Sequence, residues 1–236
     1  MKKVITTTHF RRPDYSAATT RALAEQPDAK EWHYIASIDR GPDAIEIMRR
    51  IMDYSDAFAS AAFRIRQAPP SCNDNIRTAL SRALESGADF TVMVEDDVLL
   101  GRDALATMMK LGDIHKDDPN VLTISAWRHP DGWLPESGTP IPEDESDSHG
   151  VNPWFTPWGW AAWSDRISEI LRNWTTGSDT FPITRGRVMG SWDEHLNHVV
   201  RGNRVEAQPK ISRAVNIGVE KGTHRGGNML PYWINS

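Results

Sequence analysis

Apolar positions recur along the chain in two alternating periods, and that alternation predicts its elements. The β-branched opening VITTT, from Val4, reads as a buried first strand. Pro13 then stands at a helix start, with apolar residues at helical spacing to about Gln26. WHYIASID, from Trp32 to Asp39, predicts a second strand ending at an acid; Gly41-Pro42 breaks the chain before a helix from about Ala44 to Tyr54. Asn73 or Asn75 is placed to cap a helix running to about Glu85, and FTVMV, from Phe90 to Val94, predicts a further buried strand. That strand runs directly into Glu95-Asp96-Asp97. A helix from about Arg102 to Lys110 and a strand from Val121 to Ser125 follow. Strands alternating with helices over short links predict an α/β fold, in which ligands gather at the carboxyl ends of the strands.

The periodicity then lapses. Residues 128–157 are rich in Pro, Gly, Asp, Glu and Ser, and so long a loop inside a domain commonly carries function. Regular structure is expected again at Gly159 to Trp163, in a helix from about Asp165 to Trp174 and in a shorter one from about Asp193 to Arg201. The tail KGTHRGGNML is glycine-rich and polar, the pattern of a flexible loop.

Length and composition narrow the class. With 236 residues and 26.6 kDa, 39% apolar and 25% charged, the chain fits one globular domain, 1–236. No apolar run approaches the length of a membrane span, no signal peptide is evident, and a single cysteine, Cys72, fits a reducing compartment, so a soluble cytoplasmic protein with no membrane partner is expected. Cys72 is expected to be buried. A net charge of −5 excludes a strongly basic nucleic-acid footprint while allowing a local patch. Of ten tryptophans, nine lie between Trp127 and Trp233, which suggests different work for the two halves, 1–100 and 101–236.

Two acidic clusters carry the candidate chemistry. Glu95-Asp96-Asp97 follows an apolar strand and precedes Val98-Leu99-Leu100, so the acids are pinned at the edge of the core, where uncompensated charge is costly. Such a cluster can hold Mn²⁺ or Mg²⁺, hard cations that take one or two protein carboxylates and fill the remainder with phosphate oxygens; it can equally just solvate a strand end. The second cluster, Trp192-Asp193-Glu194, opens a predicted helix. There a carboxylate can act as general base, or simply complement the helix dipole. His195 and His198 lack the HExxH order of a zinc site and are expected as exposed helix residues.

Together the blocks VITTTHFRRPDY, SID, NIRTALSRAL, FTVMVEDDVLL, LTISAWRHPDG, WFTPWGWAAW, WDEHL and PKISRAVNIGVEKGTH resemble the ordered blocks of GT-A glycosyltransferases, a Rossmann-like α/β fold with a mixed central sheet flanked by helices. The match is to the N-acetylglucosaminyltransferase I family, inverting metal-dependent enzymes that use UDP-sugars. This resemblance implies Asp97 as the metal ligand, Asp96 beside ribose and metal-bound water, and Glu95 on the donor sugar. It implies Thr8 and Arg11 or Arg12 near the nucleotide, Asp39 on uracil, and Lys221 and His224 in a loop that orders over the diphosphate. Asn75 stands where the family has a histidine beside uracil. Glu194 stands at the position of the family's base, with Asp193 adjacent. Trp127, Trp133, Trp154, Trp158, Gly159 and Trp160 fall in blocks lining the donor-sugar and acceptor side; Trp163 and Trp192 read as structural. The acceptor so implied is a hydroxyl of a glycan or small molecule.

Two other readings remain. A compact enzyme of this kind could glycosylate a hydroxymethylated base in DNA, with Arg11, Arg12, Arg185, Arg187, Arg201, Arg204, Arg213 and Arg225 available for phosphates. A non-catalytic sugar-nucleotide or carbohydrate-binding protein could be built on the same fold.

Overall fold

The computed structural model describes residues 1–128, 149–174, 181–184, 187–189 and 191–218, with backbone alone for 181–184 and 187–189. The first half is a succession of β1 (Lys3–His9), α1 (Pro13–Ala24), β2 (Trp32–Ile38), α2 (Ala44–Met52), β3 (Ser60–Ile65), α3 (Cys72–Glu85) and β4 (Phe90–Glu95). β1 lies between β2 and β4, parallel to both, and β3 lies parallel on the outer side of β2. Every residue of β1 from Val4 to His9 is buried, as a parallel strand covered by helices on both faces requires.

The second half completes the sheet with reversed strands. After β5 (Val98–Leu100), α4 (Ala104–Ile114), β6 (Val121–Ser125) and β7 (His149–Asn152) comes β8 (Trp160–Trp163), inserted antiparallel between β4 and β6. α5 (Ser164–Arg172), the short β9 (Phe181–Thr184) and β10 (Arg187–Met189), α6 (Trp192–His195), β11 (Val205–Pro209) and β12 (Ala214–Asn216) follow. The eight-stranded order is β3-β2-β1-β4-β8-β6-β11-β7, a mixed sheet. β12 pairs antiparallel with β5, which brings the segment after it back over the end of β4.

Alternate residues of β4 define the two sides of the core. Phe90, Val92 and Val94 face Leu23, Ile47, Ile51 and Leu105 on α1, α2 and α4. Met93 faces Ile76 and Leu80 of α3, Ile167 and Ile170 of α5, and a cluster of rings, Phe155, Trp160, Trp174 and Trp192. The rings meet edge-on or stacked: Phe155 on Trp160 at 5.2 Å, Trp160 on Trp192 at 6.0 Å, Trp174 on Trp192 at 6.3 Å. Side chains of this size each bury about 150–250 Å² and dominate the packing around them. No helix of the described residues is long and apolar enough to cross a membrane.

Several expectations are corrected. The cap of α3 is neither Asn73 nor Asn75 but Ser71, whose Oγ accepts the Asp74 N–H at 3.2 Å; an N-cap bonds to the amide two or three residues on, and Ser71 is the residue in extended conformation there. The helix expected over 193–201 is one α-turn followed by a π-helical turn over Leu196–Val200. The stretch 128–157 includes strand β7. β3 escapes notice because, at the sheet edge, it alternates between exposed and half-buried positions and gives no apolar run. β11 escapes because its sequence, VEAQP, buries Glu206 and Gln208. Glu206 is fully buried and accepts hydrogen bonds from Thr123 Oγ1 at 2.9 Å and the Thr156 N–H at 3.1 Å.

Candidate active site

Parallel pairing of β1, β2 and β4 sets their carboxyl ends side by side, and the acids that follow them converge there. Asp96 is buried and held from several directions. One carboxylate oxygen accepts the Phe10 N–H at 2.9 Å, the other pairs with Arg12, and its carbonyl accepts Thr19 Oγ1 at 2.9 Å. Burial, only partly offset by Arg12, pushes its carboxyl up to about 7. Asp97 pairs through Oδ2 with the other Nη of Arg12 at 2.7 Å, and its carbonyl accepts the Ile217 N–H at 2.7 Å. Gly218 passes so close to Asp97 Oδ2 that a Cβ there would collide with the carboxylate. Glu95, pushed well above the usual range by burial and by the fields of Asp97, Asp96 and Asp193, is relieved only in part by Arg12.

Arg12 therefore bridges both aspartates. It sits at the N-cap of α1, delivered by a turn in which Arg11 takes the left-handed conformation at φ 58°, a conformation that costs a non-glycine residue roughly 1 kcal/mol. Arg11 itself is exposed and stacks on Phe10. Burial lowers the Arg12 pKa, but the two carboxylates outweigh it and the net direction is up. Beneath lies His9, Nε2 at 2.7 Å from Thr7 Oγ1, with burial and then Arg12 pushing it down to about 3, so it is neutral. Thr8 is buried in register with Ser37 and Glu95.

Asp39 follows β2, and its N–H donates to the His9 carbonyl at 2.8 Å. Its carboxylate accepts the Ser71 N–H at 3.0 Å and pairs with Arg66, which is itself buried and also donates to the Ser71 carbonyl at 3.3 Å. Burial outweighs these contacts and raises Asp39 above the usual carboxylate range. Sequence reasoning missed Arg66 because it follows β3, the strand whose pattern is hidden. Asn75 is buried, with Nδ2 donating to the Ser37 carbonyl at 3.3 Å and Oδ1 without a partner among the described residues. Cys72, expected in the core, is instead exposed at the first turn of α3. Enclosure of its thiol, and then Glu95, Asp193, Asp96 and Asp39, push its pKa up.

The second acidic cluster is tied to the first through α3. The Trp192 N–H donates to Asn73 Oδ1 at 3.0 Å, fixing the start of α6 against the start of α3. Asp193 and Glu194 are both half-buried. Asp193 is the one whose field reaches Glu95 and Cys72. His195 corrects an expectation: it is buried, its Nε2 2.9 Å from the Asn173 carbonyl, whereas His198 is exposed as anticipated.

The tryptophans divide. Trp160 is fully buried inside the ring cluster, so it supports the sheet and presents no face to a sugar. Trp163 and Trp192 are buried as expected, Trp163 donating from its indole to the Gly112 carbonyl at 2.9 Å. Trp127 meets the half-buried Trp158 edge-on at 4.9 Å, and Trp154 is exposed. Gly159 takes φ 75° and has Leu100 where a side chain would go, a backbone reason for glycine. Trp133, Lys221 and His224 lie outside the described residues.

Among the described residues no three His, Cys, Asp or Glu side chains converge into a ready-made metal cage. Asp97 nonetheless keeps Oδ1 without a partner among them, beside Asp96. That donor set fits Mn²⁺ or Mg²⁺ completed by water and phosphate oxygens.

No family model matches the chain, and no curated protein does. Solved structures do. S. aureus TarS, residues 1–349, is 13% identical and superposes with a TM-score of 0.62 over 93% of this chain and 61% of that one. The same TarS fragment in complex with UDP-GlcNAc gives 14%, 0.57, 91% and 58%. The mannosyltransferase PcManGT from Pyrobaculum calidifontis, in complex with GDP-Man and Mn²⁺, is 15% identical with a TM-score of 0.53 over 70% of this chain and 45% of that one. The chain thus spans about three fifths of the TarS fragment it matches. At such identities the likeness shows the fold: the mixed α/β arrangement of the GT-A glycosyltransferases, as the sequence blocks implied.

Proposed function

We propose that this chain is a glycosyltransferase that moves a sugar from a UDP-sugar to an acceptor hydroxyl of a glycan or small molecule, with inversion and with Mn²⁺ or Mg²⁺. The observation that carries the reading is the convergence of Asp96 and Asp97 at the carboxyl ends of parallel strands with Asp193 within electrostatic reach, on a GT-A fold. The complexes of its structural neighbours with UDP-GlcNAc and with GDP-Man and Mn²⁺ support a sugar nucleotide as ligand. The order of the sequence blocks, like that of the N-acetylglucosaminyltransferase I family, supports UDP and inversion.

In this reading Asp39, set by Arg66 and the Ser71 N–H, receives the base, with Thr8 and Asn75 nearby. Asp96 faces the ribose, Glu95 the donor sugar, and Asp97 takes the cation. When bound, the cation neutralises charge developing on the leaving diphosphate. Asp193 accepts the proton of the acceptor hydroxyl as its oxygen bonds to the anomeric carbon and the bond to UDP breaks on the opposite side. Glu194, which carries the family position, is the alternative base; the field of Asp193 at Glu95 favours Asp193. Trp127, Trp154 and Trp158 offer aromatic faces to sugar or acceptor, and Lys221 and His224 are assigned to the diphosphate.

The test is direct. Purified protein with Mn²⁺ and a panel of UDP-sugars is followed for UDP release, with glycans, small hydroxylated acceptors and hydroxymethylated DNA as separate arms. Release in the presence of an acceptor, lost on chelation, and a product whose anomeric proton reports inversion by NMR are the expected results. No release from any donor, together with no thermal stabilisation by UDP and Mn²⁺, overturns the reading.

A further inference from the structure

Asp96 and Asp97 are 3% and 8% exposed, and carboxylates so enclosed persist only with a counter-charge. Among the described residues the counter-charge is one side chain. Arg12 pairs with Asp97 through Nη1 at 2.7 Å and with Asp96 through Nη2, a forked contact that uses its planar guanidinium on two acids at once. Gly218 packs directly against Asp97 Oδ2, where any side chain would collide with it.

We infer that Arg12 is the resident cation of the acidic site, that a divalent metal enters by displacing it, and that the freed guanidinium passes to the nucleotide's diphosphate. The last step rests on the proposed function. Electrostatics motivate the exchange. With both aspartates ionised, one arginine leaves one net negative charge; adding a divalent cation without moving Arg12 crowds two cations onto the same carboxylates. A diphosphate arriving with the metal accepts both. The side chain is free to make the move: it is 27% exposed at the end of a loop, and its guanidinium already lies 5.6 Å from the Tyr15 ring, a second surface on which it can rest. Arg12 is thus a positioning residue that couples metal entry to nucleotide binding, and keeps the carboxylates neutralised when the site is empty of both.

The exchange is tested by Mn²⁺ binding without nucleotide, read from the electron paramagnetic resonance signal of free Mn²⁺, for wild type, Arg12→Gln and Arg12→Lys. Arg12→Gln should bind Mn²⁺ about tenfold or more tightly than wild type, the scale of losing two charge-assisted contacts that compete for the site. Arg12→Lys, which keeps the charge and loses the fork, should fall between. With UDP added, the order should reverse, Arg12→Gln binding the UDP–Mn²⁺ pair more weakly. Equal or weaker metal binding by folded Arg12→Gln overturns the exchange. Should the variants fail to fold, ¹⁵N-arginine labelling of wild type gives the second measurement: saturating Mg²⁺ with UDP must shift the Arg12 side-chain resonances, and an unmoved signal overturns the proposal. Tighter metal binding by Arg12→Gln with no UDP binding by any form keeps the metal exchange and overturns the transferase reading with its hand-over to diphosphate.

Discussion

On the wall of the site formed by β1, β2 and β4, Asp39, Asp96 and Asp97 are each fastened by an arginine and a backbone contact, Arg66 with Ser71 or Arg12 with Phe10 and Ile217. On the wall formed by α6, Asp193 is half-buried on a single helical turn, its carbonyl accepting the Leu196 N–H, and its carboxylate makes no hydrogen bond or ion pair with the described residues. The difference suits two tasks. In the proposed reading, acids that bind a cation and a nucleotide are held in place by this pre-pairing. An acid that must accept a proton is best left with free lone pairs and access to solvent until the acceptor arrives.

The strongest way to break this comparison is to neutralise each acid of the second wall. Asp193→Asn should lower kcat by about 10²–10⁴-fold, the usual contribution of a general base, while leaving the donor KM within a few-fold. Glu194→Gln should have the smaller effect. UDP release at saturating acceptor measures both, and the reverse order would hand the base role to Glu194. Asp97→Asn, by contrast, should raise the Mn²⁺ requirement and abolish the thermal shift with UDP and Mn²⁺, because it removes binding as well as rate.

The walls differ also in what stands behind them. Behind the first, aliphatic residues share the core with the rings of Trp32, Tyr34, Phe58, Phe90 and Trp163; behind the second, Phe155, Trp160, Trp174 and Trp192 form one ring cluster. Trp160→Ala should destabilise the protein by about 3–5 kcal/mol, the cost of deleting a large buried ring, as measured by urea denaturation. Trp158→Ala, at a half-buried position, should cost far less stability. If Trp160→Ala folds normally and loses only donor or acceptor affinity, the indole faces a ligand after all.

These contrasts show how much was legible in the sequence. The parallel core was, because β1 and β4 are buried on both faces and spell continuous apolar or β-branched runs, and β2 alternates into full burial over Ala36, Ser37 and Ile38. The acids were, because each follows such a run: Asp39 after β2 and Asp96 and Asp97 after β4. Arg12 was one of two candidates; only the left-handed turn at Arg11 decides which guanidinium reaches the carboxylates. Arg66 and Glu206 were not legible. One follows an edge strand with no apolar run, the other sits in a strand whose buried residues are polar, and both depend on partners distant in sequence. The burial of Trp160 was hidden for a related reason: an indole beside Gly159 looks the same on paper whether it packs or binds.

Glu206 gives a pH-dependent prediction for the sheet that carries the second wall. Burial, against smaller opposing contributions from Thr123, Thr156 and Ser125, pushes its carboxyl from 4.5 up to about 8. In the fold it keeps a proton that the unfolded chain has released above about 4.5, so this group's contribution to stability falls as pH rises through that window and levels off above about 8. Glu206→Gln cannot ionise, yet its amide can accept the Thr156 N–H and donate to Thr123. The difference in unfolding free energy between the two proteins should therefore move in favour of the variant by up to a few kcal/mol between pH 5 and 8. A pH-independent difference in denaturation midpoints would show that the carboxyl titrates normally.

The smallest effect concerns the tie between the walls. Ser71 and Asn73 lie two residues apart at the start of α3, yet they connect in different directions: Ser71 Oγ caps its own helix at Asp74, while Asn73 Oδ1 receives the Trp192 N–H beside Asp193. Ser71→Ala should cost about 1 kcal/mol, the value of an N-cap. Asn73→Ala leaves a buried N–H without its acceptor and should cost about 1–3 kcal/mol. The informative difference is in catalysis. Ser71→Ala keeps the Ser71 N–H on Asp39 and the anchor on Trp192, so kcat should hold; Asn73→Ala frees the turn that carries Asp193, and kcat should fall several-fold with donor KM nearly unchanged. Equal kcat in the two variants would mean that the hydrogen bond joins the walls without aligning their acids.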